Sequence, residues 1–246
     1  IEETKKTNSL SWLGVTLDAL KQDTIVPFYQ AIADINRLQT TSYEVFSRIK
    51  QGNKYILPKF FIDLSQKAGI LEDISRSVFK QAFQRLSSNK LSFHLNLSSS
   101  ELNNSAIIDY LVYLSSQYGV NHNRVILDIL NYESLKPSSK IFKSLLRLKD
   151  LGFKVALKEF AMGSINIELI SLLQPDYIKV NQILIQRSLT DQKIQDMLKF
   201  LLNYTKSINI KSILVGVETQ NILDEGKKIG FDYVQGYLIA KPSSEV

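Results

Sequence analysis

Apolar positions along this chain change period repeatedly, and each change marks an element. Residues 8–22, NSLSWLGVTLDALKQ, space them helically and predict a lead-in helix. TIVPFYQAIAD (24–34) and TSYEVFSRI (41–49) read as strands, and the NRLQT turn between them predicts an antiparallel hairpin. From there helical and strand-like runs alternate. LPKFFIDLSQKAG and ILEDISRSVFKQAFQRL lead into LSFHLNLS (91–98), and ELNNSAIIDYLVYLSSQYG leads into RVILDIL (124–130). SSKIFKSLLRLKDLG leads into KVALKEF (154–160), and a short helical segment into DYIKVN (176–181). DQKIQDMLKFLLNYTKSIN precedes SILVGVE (212–218), and NILDEGKKIG precedes YVQGYLI (233–239). Strands alternating with helices predict a parallel sheet. Six such strands after a hairpin approach the count of a closed α/β barrel. No repeat or low-complexity tract divides the chain, so residues 1–22 read as a lead-in from an upstream domain and 23–246 as one barrel domain.

Composition narrows the classes. A length of 246 residues suits one α/β barrel, and 44% hydrophobic residues suffice for a real core. No apolar run reaches the ~18 residues that span a bilayer. The opening IEETKKTNSL lacks a signal-peptide layout and a methionine, so the chain is expected to be part of a longer protein. With no cysteine, thiolate metal sites, disulfides and a cysteine nucleophile are excluded, and two histidines exclude a histidine-rich centre. The expected location is cytoplasmic, or the cytoplasmic part of a membrane-anchored protein. The net charge of +6 comes from scattered lysines, which read as a solvated surface. No basic stripe with interleaved aromatics points to a nucleic acid polymer.

Parallel barrels keep chemistry at the C-terminal ends of their strands. Polar groups fall there in strand after strand: Glu44 and Arg48, Asn96 and Ser98, Asp128 and Asn131, Lys158 and Glu159, Lys179, Glu218, and Gln235. One charge in a buried strand is often structural; a set on one rim is a site. Lys179, between Ile178 and Val180, needs a carboxylate or an anionic ligand, because burying an unpaired ammonium is costly. His94, between Phe93 and Leu95, reads as a satisfied structural histidine. Trp12 reads as a packing anchor, with a homodimer or interdomain contact as the alternative. The runs LPKFFIDL (57–64) and IIDYLVYL read as core-facing helices rather than interaction patches.

The ordered set Tyr29-Gln30, Glu44-Val45-Phe46, Asn96-Leu97-Ser98, Lys179, Gly216-Val217-Glu218-Thr219 and Gln235-Gly236-Tyr237 with Lys241-Pro242 resembles the EAL domain. The resemblance covers about residues 24–242. It implies a TIM-like (β/α)8 barrel with one antiparallel strand, and hydrolysis of cyclic di-GMP with Mg2+ or Mn2+. It also implies an upstream sensor or GGDEF domain in the same chain. By this resemblance Glu44 and Asn96 match metal ligands, and Lys179 the lysine near the attacking water. Gln235 matches a glutamine near the site, and Gln30 and Arg48 match ligand-contacting positions. Glu218 is also retained.

The departures are specific. The strand that normally ends in a ligand glutamate reads DILNYES, which puts Asn131 there, or Glu133 after a two-residue slip. The paired aspartates read Lys158-Glu159. The glutamate three residues before Glu218 is Val215, and the following Gly-Thr-Gly loop reads Ala161-Met162-Gly163. A lysine ~4 Å from a divalent ion repels it by roughly 8 kcal/mol at an effective dielectric of ~20. The expectation is a catalytically inactive EAL-type receptor or regulatory domain without a working metal site, in which Lys158 replaces the metal and pairs with Glu44 or Glu159. A weak metal-dependent phosphodiesterase, using the remnant ligands Glu44, Asn96, Asn131 and Glu159, and a nucleotide-independent interaction module are the alternatives.

Overall fold

The computed structural model describes residues 2–130, 135–161 and 167–246, with side chains from residue 11 on, Ile167 excepted. Helix α1 (Glu2–Lys21) leads into β1 (Ile25–Asp34), β2 (Thr40–Gln51) and β3 (Lys54–Ile56). Helices α2 (Ile62–Lys67) and α3 (Leu71–Leu86) precede β4 (Ser92–Leu97). Then come α4 (Ser99–Leu102), α5 (Ser105–Tyr118), β5 (Val125–Ile129), α6 (Lys140–Asp150), β6 (Lys154–Leu157) and α7 (Ile167–Leu173). The chain closes with β7 (Tyr177–Asn181), α8 (Gln182–Ser188), α9 (Gln192–Ser207), β8 (Lys211–Val215), α10 (Gln220–Ile229) and β9 (Tyr233–Gln235).

The sheet runs β1-β9-β8-β7-β6-β5-β4-β2-β3, and pairing of β1 with β2 closes it into a barrel, with β3 hanging on the edge of β2. Strand β1 is antiparallel to both neighbours, while the other ring pairings are parallel. This is the TIM-like barrel with one antiparallel strand. Buried on both faces, strands such as β5 (VILDI) are almost wholly apolar, as parallel sheets require. The helices cover the ring with one apolar face each; in α3 that face is Leu71, Ile74, Val78, Phe79, Ala82, Phe83 and Leu86.

Several elements end where local chemistry forces them to. The expected strand KVALKEF stops at Leu157, because Glu159 and Ala161 adopt left-handed φ values of 55° and 65°. The expected strand YVQGYLI stops at Gln235: Gly236 packs so closely that a Cβ there would lie 2.0 Å from the Val217 carbonyl oxygen. The helical run at 57–69 breaks into a 3-10 turn at Pro58–Phe60 and α2. Helix α8 lies in a stretch without an expected element; Asn181 caps it, its side chain accepting from the Ile183 N–H.

Helix α1 docks on the barrel. Thr16 and Ala19 are buried, and the Trp12 ring stacks on Phe60 with centroids 5.1 Å apart. In IIDYLVYL the residues Ile107, Ile108, Leu111 and Leu114 are buried, whereas Tyr113 is exposed. No helix among the described residues is long and apolar enough to cross a membrane.

Candidate functional site

Register gathers the polar residues inside the barrel. Glu44 lies opposite Gln30 on β1 and His94 on β4, and Asn96 lies opposite Asp128 on β5. Paired residues share a face, so these side chains project inward together. Glu44 is the centre. Its Oε1 accepts from Lys158 Nζ at 2.9 Å and Asn96 Nδ2 at 3.2 Å, and its Oε2 from Lys179 Nζ at 2.8 Å and Gln235 Nε2 at 3.0 Å. Lys158 Nζ also donates to Asn96 Oδ1 at 2.6 Å, and Lys179 Nζ to Asp128 Oδ2 at 2.5 Å. Asp128 Oδ1 lies 2.8 Å from His94 Nδ1. At the other end Gln235 donates to Gln30 Oε1 at 3.1 Å, and Gln30 to the Ala240 carbonyl at 2.9 Å. Aromatic contacts from His94 to Tyr177 and from Tyr177 to Tyr233 lie below this network.

The charges balance: two carboxylates, Glu44 and Asp128, face two ammoniums, Lys158 and Lys179. Burial alone would push the Glu44 carboxyl up. The Lys158 and Lys179 charges and their hydrogen bonds outweigh burial and hold Glu44 well below the ordinary carboxylate range. Burial pulls the Lys158 ammonium down, but Glu44 and Asp128 reverse this and raise it. Burial, helped by the Lys179 charge, lowers His94 below its ordinary 6.5, so the ring is neutral at pH 7. Its Nδ1–H then donates to Asp128, leaving Nε2 a buried acceptor without a partner among the described residues.

The network thus joins Gln30, Glu44, Asn96, Lys158, Lys179 and Gln235. Asp128 and His94 complete it and were not expected there in those roles. A lone acid inside the apolar run VILDIL was the signal for Asp128. Arg48 is buried at the same mouth, between the rings of Phe28 and Phe46, and among the described residues donates only to the Ser47 carbonyl. Glu159 is exposed and stays outside the hydrogen-bond network, although its charge acts on Lys158. Glu218 is exposed beyond the end of β8, and Val215 is half-buried beside Gln235 in the register. Asn131 and Glu133 lie outside the described residues, as do Met162 and Gly163 of the altered loop. A cavity of about 530 Å3 opens beside Asn96 and Lys158, with apolar walls from Val45, Ile74, Val78 and Leu97. Its size falls in the range of small-ligand sites.

The EAL domain family profile matches residues 15–242. The chain belongs to the EAL domain family. It is 27% identical over 231 residues to the probable cyclic di-GMP phosphodiesterase PdeG of Escherichia coli, covering 91% of this chain and 46% of that protein. To the cyclic di-GMP phosphodiesterase PdeB of Shewanella oneidensis it is 23% identical, covering 98% of this chain and 29% of the relative. The chain therefore spans less than half the length of either. In structure this EAL domain resembles the Xanthomonas citri FimX EAL domain solved with c-diGMP, at a TM-score of 0.85 and 18% identity, covering 98% of this chain and 96% of that one.

Among the described residues, the donors around Glu44 are not arranged for the Mg2+ or Mn2+ implied by the resemblance. Hard divalent ions gather several oxygen ligands, chiefly carboxylates. Here the oxygens of Glu44 and Asn96 that face each other are both engaged by the Lys158 ammonium. Among the described residues, no three His, Cys, Asp or Glu side chains come together in a metal-holding arrangement.

Proposed function

We propose that this EAL domain binds cyclic di-GMP without a metal and leaves it intact, acting as a receptor or regulatory domain in cyclic di-GMP signalling. The observation that carries the reading is the Lys158 ammonium between Glu44 Oε1 and Asn96 Oδ1. There it supplies the positive charge that a divalent ion would otherwise bring, without the capacity to generate hydroxide. Val215, where the resemblance expects a base, cannot accept a proton.

Ligand recognition has its own support. Arg48 and Gln30 lie at the mouth, Tyr237 is exposed there, and the cavity beside Lys158 has room for a planar base. Cyclic di-GMP is dianionic, and Arg48 and Lys158 offer it charge-assisted donors. The names of the relatives PdeG and PdeB support the same ligand class. An upstream sensor or GGDEF domain would pass its signal through α1, whose Trp12 rests on Phe60. The 3-10 turn and α2 beside it supply Pro58, Lys59 and Ile62 to the cavity wall.

Calorimetric titration with cyclic di-GMP, with and without Mg2+, tests the reading when the same samples are assayed for linear dinucleotide. Metal-independent binding without product is the expected result. Product formation with Mg2+ contradicts it, and absence of binding turns the barrel into a nucleotide-independent interaction module.

A further inference from the structure

A second polar cleft lies on the outside of the barrel, away from the Glu44 network. Along β1, Gln30 faces inward, so Tyr29 faces outward toward α3. There a cleft of about 630 Å3 opens between Tyr29 on β1, Lys50 on β2, the last turns of α3 and Ser244 of the C-terminal segment. Among the described residues its charged side chains are Lys50 and Arg85, and no carboxylate lines it. Among the described residues neither cation makes an ion pair or a side-chain hydrogen bond.

Arg85 taken alone has a structural explanation, since it sits in the last turn of α3, where a cation offsets the helix dipole. Lys50, on the opposite wall, is exposed like Arg85 and alone would be a solvated surface charge; what the two share is convergence on one cleft. The third observation is independent of both: the Tyr29 hydroxyl is buried and, among the described residues, has no hydrogen-bond partner. A buried hydroxyl without a partner carries an uncompensated desolvation cost, which a ligand oxygen would relieve. Burial pushes this hydroxyl up to about 12, with the Arg85 charge offsetting part of the rise, so it stays a donor through the physiological range.

We propose that the cleft is an anion site for a phosphate monoester. Arg85 supplies a two-pronged fork, Lys50 a second cation, and the Tyr29 hydroxyl a third donor that the ligand satisfies. Gln84 and Ser88 add neutral polar groups at its edge. A free phosphate ester and the headgroup of phosphatidic acid present this same chemistry.

The test is thermal stabilisation by inorganic phosphate against chloride at equal ionic strength, with cosedimentation on phosphatidylcholine vesicles with and without phosphatidic acid. The expected result is a saturable response in at least one arm, weakened tenfold or more in Arg85→Gln and Lys50→Gln. Tyr29→Phe separates binding from folding: it removes an unpartnered hydroxyl, so the ligand-free protein keeps or gains stability while the response weakens. Response to free phosphate assigns the cleft to a soluble ester, and response to phosphatidic acid vesicles alone assigns it to a lipid headgroup. No response in either arm overturns the proposal, as does an undiminished response in the three variants. Arg85→Gln should leave cyclic di-GMP binding unchanged, because Arg85 lies outside the barrel mouth.

Discussion

Replacing Lys158 by methionine removes one ammonium from a balanced set of four charges. Breaking a buried ion pair by deleting one partner costs about 3–5 kcal/mol. The loss should be smaller here, about 2 kcal/mol at neutral pH, because Glu44 keeps Lys179, Gln235 and Asn96, and the Lys158 side chain is 20% exposed. For a chain of this size that corresponds to a fall in Tm of about 4–8 °C. The pH dependence is the sharper readout. Glu44 has a depressed pKa, so its contribution is present above the ordinary 4.5 and is lost as pH falls through its folded value. Lys158 has a raised pKa, so its contribution is complete below 10.5 and is lost only as pH rises through its folded value. The wild-type advantage should therefore hold across neutral pH and shrink in acid, where Glu44 is protonated and the Lys158 ammonium has lost its partner. Urea unfolding of both proteins across this range measures the difference. A difference under about 0.5 kcal/mol, the scale of an ordinary surface change, or one that does not vary with pH, refutes the pairing.

Lys158→Asp shifts the network by two negative charges, so Mg2+ or Mn2+ should stabilise this variant, by about 2.7 kcal/mol at a hundredfold excess over Kd, and leave the wild type unmoved in the same thermal scan. His94 has a lowered pKa, so the stability it contributes is present above 6.5 and is lost as pH falls below that, by up to about 1.4 kcal/mol per pH unit; His94→Gln should flatten that part of a urea-derived stability profile. Gly236→Ala would bring a Cβ to 2.0 Å from the Val217 carbonyl oxygen and 2.3 Å from its nitrogen, so it should cost about 3 kcal/mol or more in denaturation midpoints. A variant within error of the wild type would contradict the close packing of β9 against the turn after β8.

Much of the architecture was legible because barrel strands announce themselves as short apolar runs between amphipathic helices. The hairpin at β1–β2 and the parallel run from β4 to β9 both follow from period changes alone. What escaped depended on backbone detail or distance. Lys158 reads as part of a strand in KVALKEF; only the left-handed φ of Glu159 and Ala161, conformations that non-glycine residues seldom adopt, shows where the strand ends. Helix α8 was hidden because its seven residues, QILIQRS, follow β7 directly and are too few to show a helical period, and the Asn181 cap is a local bond at the junction. Asp128 was visible as an oddity in an apolar strand, but its two partners come from β4 and β7, a pairing fixed by long-range register. The same register leaves Glu218 outside: it follows Gly216 at φ 81°, where the chain has already left the ladder.

The Glu44 network also shows how a charge change can be absorbed without unfolding the barrel. An unpaired lysine among apolar strands would be costly, but here each ammonium meets carboxylate or amide oxygens, and Glu44 accepts four hydrogen bonds. The balance of two carboxylates against two ammoniums is what lets the buried charges persist inside the barrel.

The central claim is that the barrel binds cyclic di-GMP through its own cations and does not cleave it. Calorimetric titration of the wild-type protein with cyclic di-GMP, in EDTA and in Mg2+, with chromatography of the recovered ligand, tests this most directly. The account predicts the same affinity in both buffers and intact cyclic dinucleotide afterwards. Binding that requires Mg2+, or linear dinucleotide in the Mg2+ sample, would contradict it.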